Sequence, residues 1–362
     1  MIESTAFGYD GITNVITNYY NYQNHKKVHM DLVTINSVSE TFKKELDFNN
    51  SKNFVLPYRN SNPLKFVWVL CRIIKRGKYS VVHVHGCSAT MVVEMFAAKL
   101  AGVKVRIAHS HNTTCDHVKV DKILRPFFTR WCNVGFACGK EAGEWMFPTK
   151  SFSVISNGID LEKFQYDEAV RNQMREMFGL EGKFIVGHVG RFSEQKNHFK
   201  LIDIFAELSK IYPESKLVLV GDGELKSSIV RRAEKEELDV LFVGLSDEVE
   251  KWLQAMDIIV FPSLFEGLPL GLVEAQAAGL PCILSNTISP ATKITDLVEF
   301  VKLEDKPSMW CEAIKRNKDK FNRKDRIANV KKQIKNAHFD IKVNCQELEE
   351  RYKILIQNGG LG

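Results

Sequence analysis

Two acids stand in an apolar, glycine-rich run, "SLFEGLPLGLVEAQAAGLP" at residues 263–281: Glu266 and Glu274. A carboxylate among leucines and alanines is costly unless donors or a cation meet it. Ionised, it only accepts hydrogen bonds, so the hydroxyls of a sugar or ribose suit it. The preceding "DIIVFPS" (257–263) reads as a strand, and Pro269 suits the first turn of a following helix. Glu266 then lies in the loop at the strand's carboxyl end. Glu274 lies within the helix, on the face of Leu270 and Ala277. The amides of Leu268, Leu270 and Gly271 give the helix start a positive potential for an anion.

A second group lies in "GHVGRFSEQKNH" (187–198), where Arg191 and Lys196 follow another strand. Two cations so placed can sit over a diphosphate. Alone they read as solvated cations; with an acidic segment at another strand end of the same sheet they make a nucleotide-diphosphate site. "VLVGDGELK" (218–226) adds a tight glycine turn, and its G-x-G lacks the third glycine of a dinucleotide fingerprint. In "RIAHSHNT" (106–113), strand alternation puts His109 and His111 on one side. The spacing of His83, His85, His109, His111 and His117 follows no zinc pattern, and no metal or other cofactor is expected.

The elements that must hold these groups form two blocks. "HMDLVTIN" (29–36), "YSVVHVHG" (79–86), "VKVRIAHSH" (103–111), "VGFACG" (134–139) and "FSVISNGID" (152–160) read as strands, with helical patterns such as "MVVEMFAAKLAG" (91–102) between them. After a polar stretch near 160–180 the cycle restarts with "KFIVGHVGR" (183–191), then "KLVLVGDG" (216–223), "VLFVG" (240–244), "DIIVFPS" and "PCILS" (281–285). Strand–helix alternation in two blocks predicts an α/β fold of two doubly wound, Rossmann-like domains. The expected division is 1–165, 166–340 and a closing helix over 341–362 that packs back on the first domain. At 362 residues the chain exceeds one ordinary core. A basic, polar stretch at 315–335 reads as helical.

Composition excludes several classes. With 44% hydrophobic and 26% charged residues the chain is an ordinary globular protein, and a net charge of +6 permits but does not demand anionic partners. "MIESTAFGYDG" is no secretory signal, and "LKFVWVLCRIIK" (64–75) is short of the ~20 residues that span a bilayer. The eight cysteines include no C-x-x-C pair and read as reduced. A cytoplasmic protein is expected.

The segment from Gly190 to Pro281 resembles the donor half of the GT-B glycosyltransferases, in particular family 4, the retaining enzymes with an E-x7-E motif. The matching pieces are "GR-x4-K", "VGDGEL", "VLFVGLSDEVEKWLQAMDIIVFPS" and "FEGLPLGLVEAQAAGLP". The resemblance implies two Rossmann-like domains facing a central cleft. Glu266 would face the donor sugar, and Gly267 with the following amides its hydroxyls or phosphate. Glu274 would hold the ribose, Arg191 and Lys196 the diphosphate, and Val243 and Gly244 the base. Pro269 departs from the glycine many members carry and removes an amide. In the first half, "GYDGITNVI" (8–16) is similar to the family's glycine loop, with Gly11 near acceptor and phosphate. The strand that should precede it is nearly absent, which implies a late start or an impaired chain. The family often has a histidine beside the donor sugar, here His109 or His111.

The resemblance implies a hexosyltransferase moving a hexose or N-acetylhexosamine, most simply from a UDP-sugar, to a saccharide or lipid-linked acceptor in bacterial capsular or exopolysaccharide assembly. The absence of a D-x-D triplet fits a metal-independent reaction in which fixed cations and dipoles meet the leaving charge. Two other classes share the architecture: a sugar-nucleotide epimerase and a non-catalytic nucleotide-sugar binder. Without G-x-G-x-x-G at the opening of either domain, an NAD dehydrogenase is disfavoured. "DKILRPFFTRWC" (121–132) and "LKFVWVLCRIIKRGK" (64–78) combine apolar faces with basic flanks, a pattern for peripheral contact with an anionic membrane on its cytoplasmic face or for ordinary core helices. Nucleic acid is not an expected partner.

Overall fold

The computed structural model describes residues 1–8, 11–115, 117–318 and 322–360. They divide into two compact units, Met1–Gly158 with Asp340–Gly362, and Ile159–Phe339. In chain order the first unit runs β1 (Ile2–Glu3), α1 (Gly11–Tyr22), β2 (Leu32–Thr34), α2 (Glu40–Phe48), β3 (Asn53–Val55), α3 (Pro63–Gly77), β4 (Val81–Gly86), α4 (Val92–Leu100), β5 (Val105–Ser110), α5 (Val118–Trp131), β6 (Val134–Ala137), α6 (Lys140–Met146) and β7 (Ser153–Val154). The second runs α7 (Glu168–Met177), β8 (Phe184–Val189), α8 (His198–Ile211), β9 (Ser215–Val220), α9 (Lys226–Lys235), β10 (Val240–Gly244), α10 (Val249–Ala255), β11 (Ile258–Phe261), α11 (Leu270–Ala277), β12 (Cys282–Ser285), β13 (Val298–Val301), α12 (Pro307–Lys318) and α13 (Arg323–Asn336). A last helix, α14 (Ile341–Gln357), belongs to the first unit.

All strand pairs are parallel, in the orders β3-β2-β1-β4-β5-β6-β7 and β10-β9-β8-β11-β12-β13. This is the expected doubly wound fold, with helices covering the sheets. Each sheet reverses direction of travel once, between β1 and β4 and between β8 and β11, and such switch points open a crevice at the strands' carboxyl ends. The run of β-branched and aliphatic residues in β8, β9, β11 and β12 is buried, as a sheet covered on both faces requires.

The first central strand is short rather than missing. Ile2 stands in register with Val33 and Val84, and Glu3 with His85. The Val33 amide donates to the Met1 carbonyl at 2.9 Å and the Ser4 amide to that of His85 at 3.0 Å, so main-chain pairing continues past both ends. The polar stretch near 160–180 contains α7, whose start Asp167 caps by accepting from the Ala169 and Val170 amides. The stretch 315–335 divides into α12 and α13, and its residues 319–321 lie outside those described. Pro269 is the N-cap of α11, with φ −71° and ψ 128°, rather than its first helical residue. All eight cysteines are free thiols, buried or half-buried.

Candidate functional site

The switch point of the second unit brings two loops together. After β8 the chain passes Arg191 and Lys196; after β11 it passes Glu266. Lys196 Nζ lies 2.5 Å from Glu266 Oε1, with both side chains largely buried. Gln195 Nε2 donates to the other carboxylate oxygen at 3.1 Å and to the Phe265 carbonyl at 3.0 Å, while its own carbonyl accepts from the Leu264 amide at 2.8 Å. Asn197 Nδ2 donates to the Pro262 carbonyl at 3.0 Å. Adjacent residues of one loop therefore fix the acidic loop in place and neutralise it.

Arg191 points elsewhere. It pairs with Glu224 at 3.1 Å, and its side chain is 71% exposed. The glycine turn explains that partner. The Phe192 amide donates to the Asp222 carbonyl and the Leu225 amide to the Phe192 carbonyl, at 2.9 and 3.0 Å, drawing Glu224 against the Arg191 loop. A Cβ on Gly221, where φ is +138°, would come within 2.0 Å of the Gly190 carbonyl oxygen. Val243 and Gly244 end the edge strand β10, both half-buried, and the Gly244 carbonyl accepts from the Gly221 amide at 2.8 Å.

Glu274 lies mid-helix in α11, half-buried. Burial pushes its carboxyl up to about 7; Lys163 opposes the shift and Glu250 adds to it. Lys163 and Glu250 pair with each other at 3.2 Å. Among the described residues no side chain hydrogen-bonds the Glu274 carboxylate. Gly267 is exposed, Leu268 half-buried and Leu270 buried. The first amides of α11, those of Leu270 and Gly271, lack an intrahelical acceptor.

His109 and His111 belong to the first unit. On β4 and β5, in register with His85 opposite His109, alternation puts His83, His85 and His109 on one face, and His111 follows just beyond the strand end. His83 Nε2 and His109 Nδ1 share a hydrogen bond of 3.2 Å, and His85 Nδ1 and His111 Nε2 one of 2.9 Å. Burial holds all four rings neutral, and His111, which faces the Asn157 side chain, is lowered to about 3. The four histidines that sequence spacing left scattered are thus one cluster; His117, exposed, is not part of it. Gly11 opens α1 and is exposed, and a Cβ there would meet no described atom within 4 Å. Tyr9 and Asp10 of its loop lie outside the described residues.

Sequence reasoning missed Gln195, Asn197, Lys163 and Glu250. Each is an ordinary polar residue in a polar segment, and only strand order reveals what it faces.

Residues 170–333 match the family described as Glycosyl transferases group 1, and residues 9–163 match Glycosyltransferase Family 4. A Bacillus subtilis (strain 168) protein named as a glycosyltransferase, EpsF, is 34% identical over 324 residues, 84% of each chain. An Escherichia coli enzyme, UDP-Gal:alpha-D-GlcNAc-diphosphoundecaprenol alpha-1,3-galactosyltransferase, is 32% identical over 244 residues, 62% of each chain. Among solved structures, Anabaena Alr3699/HepE in complex with UDP-glucose superposes with a TM-score of 0.79, covering 98% of this chain and 99% of that one at 18% identity. The glycosyltransferase WaaG of lipopolysaccharide biosynthesis does so at 0.69, covering 97% and 99% at 14% identity. With its two parallel sheets, its E-x7-E segment and these relatives, the chain belongs to the family 4 glycosyltransferases, retaining enzymes of the GT-B fold.

Proposed function

We propose that this enzyme transfers a hexose or N-acetylhexosamine from a UDP-sugar to a saccharide or lipid-linked acceptor in bacterial surface-polysaccharide assembly. The observation that carries the reading is the Lys196–Glu266 pair at the β8/β11 switch point, an ion pair that a donor can enter. The diphosphate takes Lys196, the α11 amides and Arg191 as counter-charges, the last by exchanging Glu224 for phosphate. Glu266, released from Lys196 but still held by Gln195, faces the sugar hydroxyls, and Glu274 accepts from the ribose. Cations held in place before the bond breaks need no reorganisation as charge develops on the leaving phosphate. His109 or His111, neutral by burial, supplies a hydrogen-bonding group at the donor sugar without adding charge. Attack on the face from which the nucleotide departs, with the acceptor hydroxyl's proton passing to the leaving phosphate, accounts for retention. Gly11 lies at the acceptor end. The E. coli relative acts on a diphosphoundecaprenol-linked sugar with a UDP-Gal donor, and HepE binds UDP-glucose, which supports UDP and a lipid-linked acceptor here.

The same reading puts the enzyme in the cytoplasm, at the inner face of the membrane. Among the described residues no helix is long and apolar enough to cross a membrane. On α5, Val118, Ile123 and Phe127 are exposed, whereas Phe128 is core and Arg125 pairs with Asp121 at 2.6 Å. On α3, Leu64 and Trp68 are exposed while Phe66, Leu70 and Ile74 are buried. Exposed apolar groups beside Lys119 and Lys122 fit a peripheral contact with anionic lipid. A thermal-shift screen of UDP-, GDP- and ADP-sugars, followed by transfer assays on acceptor mimics, tests the donor; stabilisation by GDP- or ADP-sugars alone would refute UDP. Sedimentation with anionic vesicles, weakened by salt and by Phe127→Asp, tests the membrane contact, and salt-independent absence of binding would refute it.

A further inference from the structure

Of the four clustered histidines of the first unit the transfer reading needs one, and with His109 grouped with His83 and His85 that one is His111. His83, His85 and His109 are each fully or almost fully buried, and one nitrogen from each lies within 4.8 Å of the others. His83 Nε2 and His109 Nδ1 are 3.2 Å apart, close to the about 3.4 Å that separates two nitrogens bound tetrahedrally at zinc distances. Two of the rings also have an outer partner on the other nitrogen, and the third has main chain beside it. His83 Nδ1 meets the Tyr352 hydroxyl at 2.6 Å, His85 Nδ1 meets His111 at 2.9 Å, and the Ile155 main chain lies against His109. Outer partners of this kind orient imidazoles that bind metals. The remaining nitrogen of His85, Nε2, is buried with no protein hydrogen-bond partner among the described residues, as is His109 Nε2, and such a group is costly unless something meets it.

We propose that His83, His85 and His109 form a binding site for a divalent transition-metal ion of the zinc class, held by His83 Nε2, His109 Nδ1 and His85 Nε2. Three imidazoles are a ligand set that zinc takes with one further, non-protein ligand. The ion replaces the hydrogen bond between His83 and His109, and His83 and His85 keep their Nδ1 atoms for Tyr352 and His111. No carboxylate is needed, and burial already keeps the rings in the neutral form that binds. The site ties β4 to β5 and, through Tyr352, to α14, so an ion bound there raises the stability of the first unit. Sequence spacing hides it because the ligands come from two strands, and only their register closes the set.

The test uses the untagged full chain, stripped with chelator and titrated with Co²⁺ alone as a spectroscopic stand-in for zinc. Retention of about one ion per chain is expected, with a visible d–d band, displacement by Zn²⁺ and a raised melting temperature. His83→Gln should lose the band and the retained ion, whereas His117→Gln, at an exposed position outside the cluster, should keep both. Wild-type protein that retains no ion overturns the proposal whether or not the His83 variant folds. So does a folded His83→Gln protein that retains as much as wild type. UDP binding is measured alongside, so failure of the metal site and failure of the donor assignment are separate results.

Discussion

The two switch-point regions have the same architecture and opposite electrostatics. In the second unit the carboxyl ends of β8, β9 and β11 and the helix α11 carry charge: Lys196 against Glu266, Arg191 against Glu224, and Glu274 without a hydrogen-bonded side chain among the described residues. In the first unit the ends of β4 and β5 carry four imidazoles that burial keeps neutral. An anionic donor needs the first kind of environment. The second, built of neutral nitrogens, suits groups that bind imidazole: the cation proposed on His83, His85 and His109, and through His111 a sugar hydroxyl. The fold supplies the crevice twice, and side-chain type decides what each can take.

The largest effect expected is on the charged side. Glu266→Gln and Lys196→Ala should each lower transfer about 10²–10³-fold while circular dichroism and cooperative melting persist. Activity near wild type in both would erase the contrast. Next comes the scaffold under Arg191. Gly221→Ala forces a Cβ into the Gly190 carbonyl at a φ that side chains rarely adopt, and should cost roughly 2–4 kcal/mol in denaturant unfolding.

Glu274→Gln should weaken UDP-sugar binding about tenfold at pH 8 by calorimetry. Its carboxyl, raised to about 7, is largely protonated below that pH, whereas ribose hydroxyls need the ionised acceptor. Wild-type donor affinity should therefore fall as pH drops through 7, and binding near pH 7 should release a proton. The stability sign is opposite. The unfolded chain ionises Glu274 near 4.3, so the native state loses stability as pH rises from there to above 7. Glu274→Gln removes that loss, and ligand-free variant should melt higher than wild type at pH 8. The smallest effect is at Gln195. Gln195→Leu removes two donors from the acidic loop and should lower kcat/KM about fivefold through kcat, with the melting temperature nearly unchanged.

Much of the charged region was legible because its residues follow strands in sequence, and loops after parallel strands are where ligands bind. Glu266, Glu274, Lys196 and Arg191 could be read that way. That Lys196 answers Glu266 required the adjacency of β8 and β11, strands that are far apart in sequence. Nothing in the spacing of Arg191 announces Glu224, whose approach depends on the main-chain bonds between Phe192 and the 222–225 turn. The neutral region was harder to read. A zinc-pattern search examines spacing along the chain, whereas His85 and His109 meet through strand register. β1 was illegible for a simpler reason: two residues carry no periodicity, and its place is set by hydrogen bonds from β2 and β4.

Titration calorimetry of UDP against wild type and Lys196→Ala, at fixed pH and salt, bears most directly on the claim that the β8/β11 pair receives the diphosphate. A Kd raised about tenfold or more in the variant, with its melting temperature still cooperative, is the predicted result. Equal Kd values in the two proteins would contradict it.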